Sequence, residues 1–183
     1  SFVSFLKDKV AVTPDKFITA AFRAAEKGHV LCLSALYEAG ADLNKAVDGY
    51  TPAYIAAQNG HVDVLRFLAT PKEEGGPGCD LNTPNEVGAT PAYIAAQESH
   101  VKVLEFLADR GCDLNTPKNG GFTPAYVAAF DGREDVLRFL AEKGCDLSTP
   151  DNDGATPAYV AAQDGHVNVL KFLAEKGCDL NTP

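Results

Sequence analysis

Apolar residues along this chain fall in clusters of one repeated design. Val64, Leu65, Phe67 and Leu68 return as Val103, Leu104, Phe106 and Leu107, then as Val136, Leu137, Phe139 and Leu140, and again as Val169, Leu170, Phe172 and Leu173. Such spacing puts the side chains of a cluster on one face of an α-helix. A short Ala-rich stretch precedes each cluster, opened by Thr51-Pro52, Thr90-Pro91, Thr123-Pro124 and Thr156-Pro157. Thr-Pro is a helix start, because the hydroxyl caps free amides and proline occupies a first turn that needs no N–H. Asn59-Gly60, Glu98-Ser99, Asp131-Gly132 and Asp164-Gly165 break this first helix, while Gly111, Gly144 and Gly177 end the second with a left-handed cap. The polar stretch from each Cys-Asp-Leu to the next Thr-Pro predicts a hairpin-like finger.

The threonines Thr90, Thr123 and Thr156 are 33 residues apart, a period that signals a solenoid. From Thr51 to Thr90 the distance is 39, because a Gly-, Pro- and Glu-rich surplus lies between Ala69 and Cys79, predicted as a surface loop over 70–78. A weaker first copy aligns through Thr19, Ala24, Ala25, Gly28, His29, Gly40, Asp42, Leu43 and Asn44. That makes five units, over 14–46, 47–84, 85–117, 118–150 and 151–183. The apolar side chains of one unit cannot offset the entropy of ordering its backbone, so the units must stack to fold.

The shared pattern TPAY-x-AA-x-x-GH-x-x-VL-x-FLA-x-x-GCDLN resembles the ankyrin repeat motif, in register over residues 15 to 183. The resemblance implies an all-α ankyrin solenoid of five helix-turn-helix repeats with hairpin-like fingers. Two departures recur: Ala-Tyr follows the proline where the family has Leu-His, and cysteine stands before Asp where the family has Ala. Arg23 occupies a position that the family buries between neighbours and that holds Ile55, Ile94, Val127 and Val160 in the other copies. A charge fits there only at the end of a stack, and Phe2, Val3, Phe5, Leu6 and Val10 predict an N-terminal capping helix over 1–13. The last copy keeps its apolar residues unreplaced, so the array is expected to continue beyond Pro183; the absence of an initiator Met fits ends that are not native gene ends.

Composition narrows the partners. An apolar fraction of 45% argues against disorder, and a formal charge of −9 disfavours nucleic acid and anionic membranes, leaving a neutral or basic protein or peptide. No stretch is long and apolar enough to span a membrane, and a monomer is expected. Five cysteines without a secretory segment read as reduced thiols in the cytoplasm or nucleus.

Candidate chemistry is sparse. Cys79, Cys112, Cys145 and Cys178 recur with the repeat, but stacked units stand too far apart for disulfides or a shared zinc, so they read as small buried structural residues. His29, His61, His100 and His166 take one place in successive units, with Arg133 in the fourth, and read as structural caps at the start of the second helix. No catalytic set lies within a unit, no cofactor is implied, and the chain reads as a noncatalytic module. The tyrosine column suits packing better than base stacking in such acidic company, and Asp151-Asn152-Asp153-Gly154 reads as a turn rather than a calcium loop. Asn44, Asn82, Asn115 and Asn181 match an asparagine that the resemblance implies is open to hydroxylation; by residue type it is a turn-stabilising side chain.

The resemblance also implies that partners contact the finger tips and the exposed side of the first helices, which line a concave groove. Specificity then lies where the copies differ. Tyr50 and Phe122 precede Thr-Pro, Phe130 ends a first helix and Val87 marks a finger tip; exposed aromatics are typical interface anchors. The competing reading lays each aromatic on its own repeat. Asp48, Glu98, Asp131, Asp153 and Asp164 form an acidic border suited to steering a basic partner, or else ordinary solvated surface. The alternative to recognition is a structural spacer or regulatory segment of a larger protein.

Overall fold

The computed structural model describes residues 15–181. The ten α-helices among the described residues are α1 (Asp15–Glu26), α2 (Val30–Glu38), α3 (Pro52–Gln58), α4 (Val62–Leu68), α5 (Pro91–Gln97), α6 (Val101–Asp109), α7 (Pro124–Phe130), α8 (Glu134–Glu142), α9 (Pro157–Gln163) and α10 (Val167–Glu175). They pair in chain order, and each first helix (α1, α3, α5, α7, α9) packs on its own second helix and on the first helix of the next pair. Among the described residues there is no strand, only an isolated bridge between Val47 and Tyr50, and no helix long and apolar enough to cross a membrane. The expected capping helix over 1–13 lies outside the described residues.

Helix starts follow the Thr-Pro reading. The hydroxyls of Thr51, Thr90, Thr123 and Thr156 accept the backbone N–H of Tyr54, Tyr93, Tyr126 and Tyr159 at 3.0–3.1 Å. All four threonines are buried, so the four helices they open, each only seven residues long, begin inside the stack. One core runs through every pair, from Leu33 through Leu65, Leu104 and Leu137 to Leu173, each with no exposed surface. The first helices, rich in alanine, approach one another more closely than the bulkier second helices do.

Fingers form without strands. In successive units Asn85, Lys118 and Asp151 donate their backbone N–H to Ala89, Phe122 and Ala155 at 2.9–3.0 Å. Neighbouring tips are tied by Asn119 N–H to Val87 O and Asn152 N–H to Gly120 O, both 2.9 Å. Asparagine side chains add to this: Asn44 and Asn115 accept the backbone N–H of Asp80 and Asp146 in the following unit, at 3.2 Å.

One expectation is corrected. The histidines do not cap the helices they precede. Instead Nε2 of His61, His100 and His166 reaches back to the carbonyls of Glu26, Gln58 and Phe130, at 2.8–2.9 Å. A carbonyl only accepts, so Nε2 donates, and each ring ties its unit to the end of the preceding first helix. The ring lies so close to the preceding turn that a Cβ on Gly132 would stand 2.6 Å from His166 Nδ1. Where that glycine becomes Ser99, at φ 58°, the next unit has Arg133 in place of histidine, and Ser99 Oγ bonds both carboxylate oxygens of Asp135 at 2.8 and 3.0 Å. In the loop over 70–78, Lys72–Gly75 and Gly78 are exposed, while Gly76 and Pro77 fold inward and are buried. Tyr37 Oη donates to Gly76 O at 2.7 Å, pinning the insertion to α2.

Candidate functional site

A pocket on the first-helix side lies between the third and fourth helix pairs. Tyr93 and Gln97 of α5, Tyr126 and Phe130 of α7, Asp131 after α7, and the finger residues Lys118 and Phe122 enclose an open space of about 320 Å³. Tyr93 and Tyr126 are held by the Thr-Pro starts of their helices and are 3% and 8% exposed. Tyr126 Oη donates to Asp151 Oδ2 at 3.0 Å, which fixes the ring against the next finger. Burial, then that bond to a carboxylate, pushes the Tyr126 phenol up to about 12.

Lys118 reaches the pocket because of its place in the finger. Its counterparts Asn85 and Asp151 turn their side chains onto their own fingers, each accepting two backbone N–H groups through Oδ1 at 2.9–3.1 Å. Lysine has no acceptor for that turn. Its ammonium instead sits over two rings, 5.0 Å from the Tyr93 centroid and 5.3 Å from Phe122.

Of the residues singled out from the sequence, Phe122, Phe130 and Asp131 come together here. Phe130 stands 47% exposed, whereas Phe122 is half-buried edge-on against Tyr126, with centroids 5.0 Å apart. Tyr50 leans on Tyr54 in a tilted arrangement, at 5.1 Å, and keeps 39% exposure. Both aromatics therefore lie on their own repeats. Val87 is exposed at a finger tip, as are Asp48, Glu98, Asp153 and Asp164 at their turns, none of them lining the pocket. Asp131 is half-buried, and desolvation holds its carboxyl above the usual range despite the opposing pull of Arg133 and His166. Lys118 was not singled out from the sequence as a site residue. The signal was available, since it is a cation at a position held by Asn85 and Asp151 in the neighbouring copies.

The repeating thiols are half-buried rather than buried and form no disulfide. Burial pushes Cys79 up to about 12 and raises Cys112 and Cys145, so these thiols are protonated and unreactive near neutrality. Among the described residues no group of His, Cys, Asp and Glu is arranged to hold a metal.

Comparison with known families places residues 76–151 and 120–183 under a model described as ankyrin repeats in three copies. Residues 21–69 match a second, described as ankyrin repeats in many copies. No curated protein matches the chain.

Proposed function

Because this chain belongs to the ankyrin repeat family, whose members are generally protein–protein interaction modules, we propose that it is a noncatalytic module gripping a neutral or basic protein or peptide in the groove between its fingers and first helices. The observation that carries this reading is Phe130, 47% exposed at the mouth of a pocket whose other rings are fixed by the fold. An aromatic held in the open on a rigid frame gains contact area on binding while little side-chain freedom remains to be lost. Tyr50 and Val87 extend the contact along the finger tips, and Asp48, Glu98, Asp131, Asp153 and Asp164 set the charge of the border. That border favours a partner with cationic residues, chiefly through the rate of encounter.

The test is selection of short random peptides on the protein, with each binder re-measured on Phe130→Ala. Binding should weaken by more than ~2 kcal/mol. The melting temperature should stay near wild type, because the ring is not part of the core. Phe122→Ala is the poorer probe, since it also removes the contact with Tyr126. Peptides that bind Phe130→Ala, Tyr50→Ala and Val87→Ser as well as wild type would place the binding surface elsewhere.

A further inference from the structure

The pocket between α5 and α7 has the chemistry of a cation site that the protein itself fills incompletely. Ring faces from Tyr93 and Phe122 already hold an ammonium, that of Lys118, at 5.0 and 5.3 Å. Asp131 stands in the same pocket, yet among the described residues no hydrogen bond or ion pair engages its carboxylate. Lys118 itself makes no ion pair there, and Arg133 and His166 act on Asp131 only through space. Electron-rich faces and a half-desolvated carboxylate therefore share a space of about 320 Å³ with only a tethered, strongly hydrated point charge to satisfy them.

We propose that this pocket takes an arginine side chain of the partner peptide, its guanidinium displacing the Lys118 ammonium from the rings, stacking beside Phe130 and donating to Asp131. The inference rests on the groove reading above and deepens it. Arginine is chosen over lysine because a planar fork stacks on a ring and bonds a carboxylate at the same time. Net charge agrees: the chain carries −9, and Asp164 and Glu98 stand at neighbouring helix ends. Desolvation of Asp131 adds to the case, since a carboxyl held above its usual range gains most from an incoming cation. Lys118 then acts as a placeholder that any incoming cation must push aside.

The experiment is a nuclear magnetic resonance titration of the whole chain with the peptide acetyl-Gly-Gly-Arg-Gly-Gly-amide. The same sequence with citrulline, neutral but of the same shape, and with glutamate serve as controls. The arginine peptide should shift the resonances of Tyr93, Phe122, Tyr126 and Phe130 saturably and bind about tenfold tighter than the citrulline peptide. Lys118→Met should tighten arginine binding severalfold, and Asp131→Asn should bring it down to the citrulline level. Equal binding of arginine and citrulline, preference for glutamate, absence of saturable shifts, or unchanged or weaker binding by Lys118→Met overturns the proposal. The two readings fail separately. A library-selected peptide lost with Phe130→Ala but unaffected by competing arginine peptide leaves the groove standing and removes the cation site, whereas no Phe130-dependent peptide at all removes the groove.

Discussion

A carboxylate that is half-buried, unpaired and held above its usual range makes the folded state dependent on pH in a defined direction. Asp131 binds its proton more tightly folded than unfolded, so its contribution is favourable below the unfolded carboxylate range and is lost as pH rises through the folded value. Near neutrality the ionised group is a cost, because desolvation outweighs the help of Arg133 and His166. Asp131→Asn keeps the shape and removes the charge. Thermal melts should show the variant more stable than wild type near neutral pH, with the difference vanishing in acid where both side chains are neutral. A variant less stable at neutral pH would mean that the carboxylate serves the fold. Groups that weaken a fold in this way are often those used in binding, and here the group lines the pocket beside Phe130.

Between helix pairs, Ser99 and Arg133 form an exchange of one connection for another. Elsewhere a glycine in the left-handed turn leaves room for a histidine of the next unit to bond the preceding first helix. Ser99 keeps the left-handed backbone at φ 58° but brings a Cβ into the space a histidine ring would fill. Arg133→His alone should therefore fail to form a bond to Gln97 O and should not stabilise. Ser99→Gly alone relieves left-handed strain but loses the bonds to Asp135. The double variant restores the pattern of the other units and should show a favourable coupling of about 1 kcal/mol in a urea-denaturation cycle; strict additivity would refute the exchange. This tie shows what the sequence could and could not reveal. The period, the Thr-Pro starts and the left-handed glycines were legible because each depends on local backbone chemistry. The histidine bond, the pinning of Gly76 by Tyr37 and the lean of Phe122 on Tyr126 were not, because each is set by where a neighbouring element sits. Phe130 was legible because one copy departs there from the glutamine of its siblings, and Asp131 as one of a row of polar helix ends, whereas their meeting with Lys118 needed the fingers in place.

At the scale of the whole stack, every substantial helix contact among the described residues joins members of one pair or of adjacent pairs. Stability is then a sum of unit and interface contributions, and a defect acts according to its position. Leu104 in α6 and Leu173 in α10 are both completely buried leucines, so Leu→Ala at either should remove comparable packing, about 2–5 kcal/mol. Their consequences should differ. Leu173→Ala loosens a pair that contacts the stack on one described side only, so amide exchange should rise over α9 and α10 while the pocket between α5 and α7 still binds peptide. Leu104→Ala strikes the pair that supplies Tyr93, between two neighbours. It should accelerate exchange on both sides of the defect and weaken binding together with stability. Hydrogen-exchange maps of the two variants, read beside their peptide affinities, decide the matter. Equal acceleration across all described helices in both would show a single cooperative block, and the pocket could then not be protected from damage at the far end.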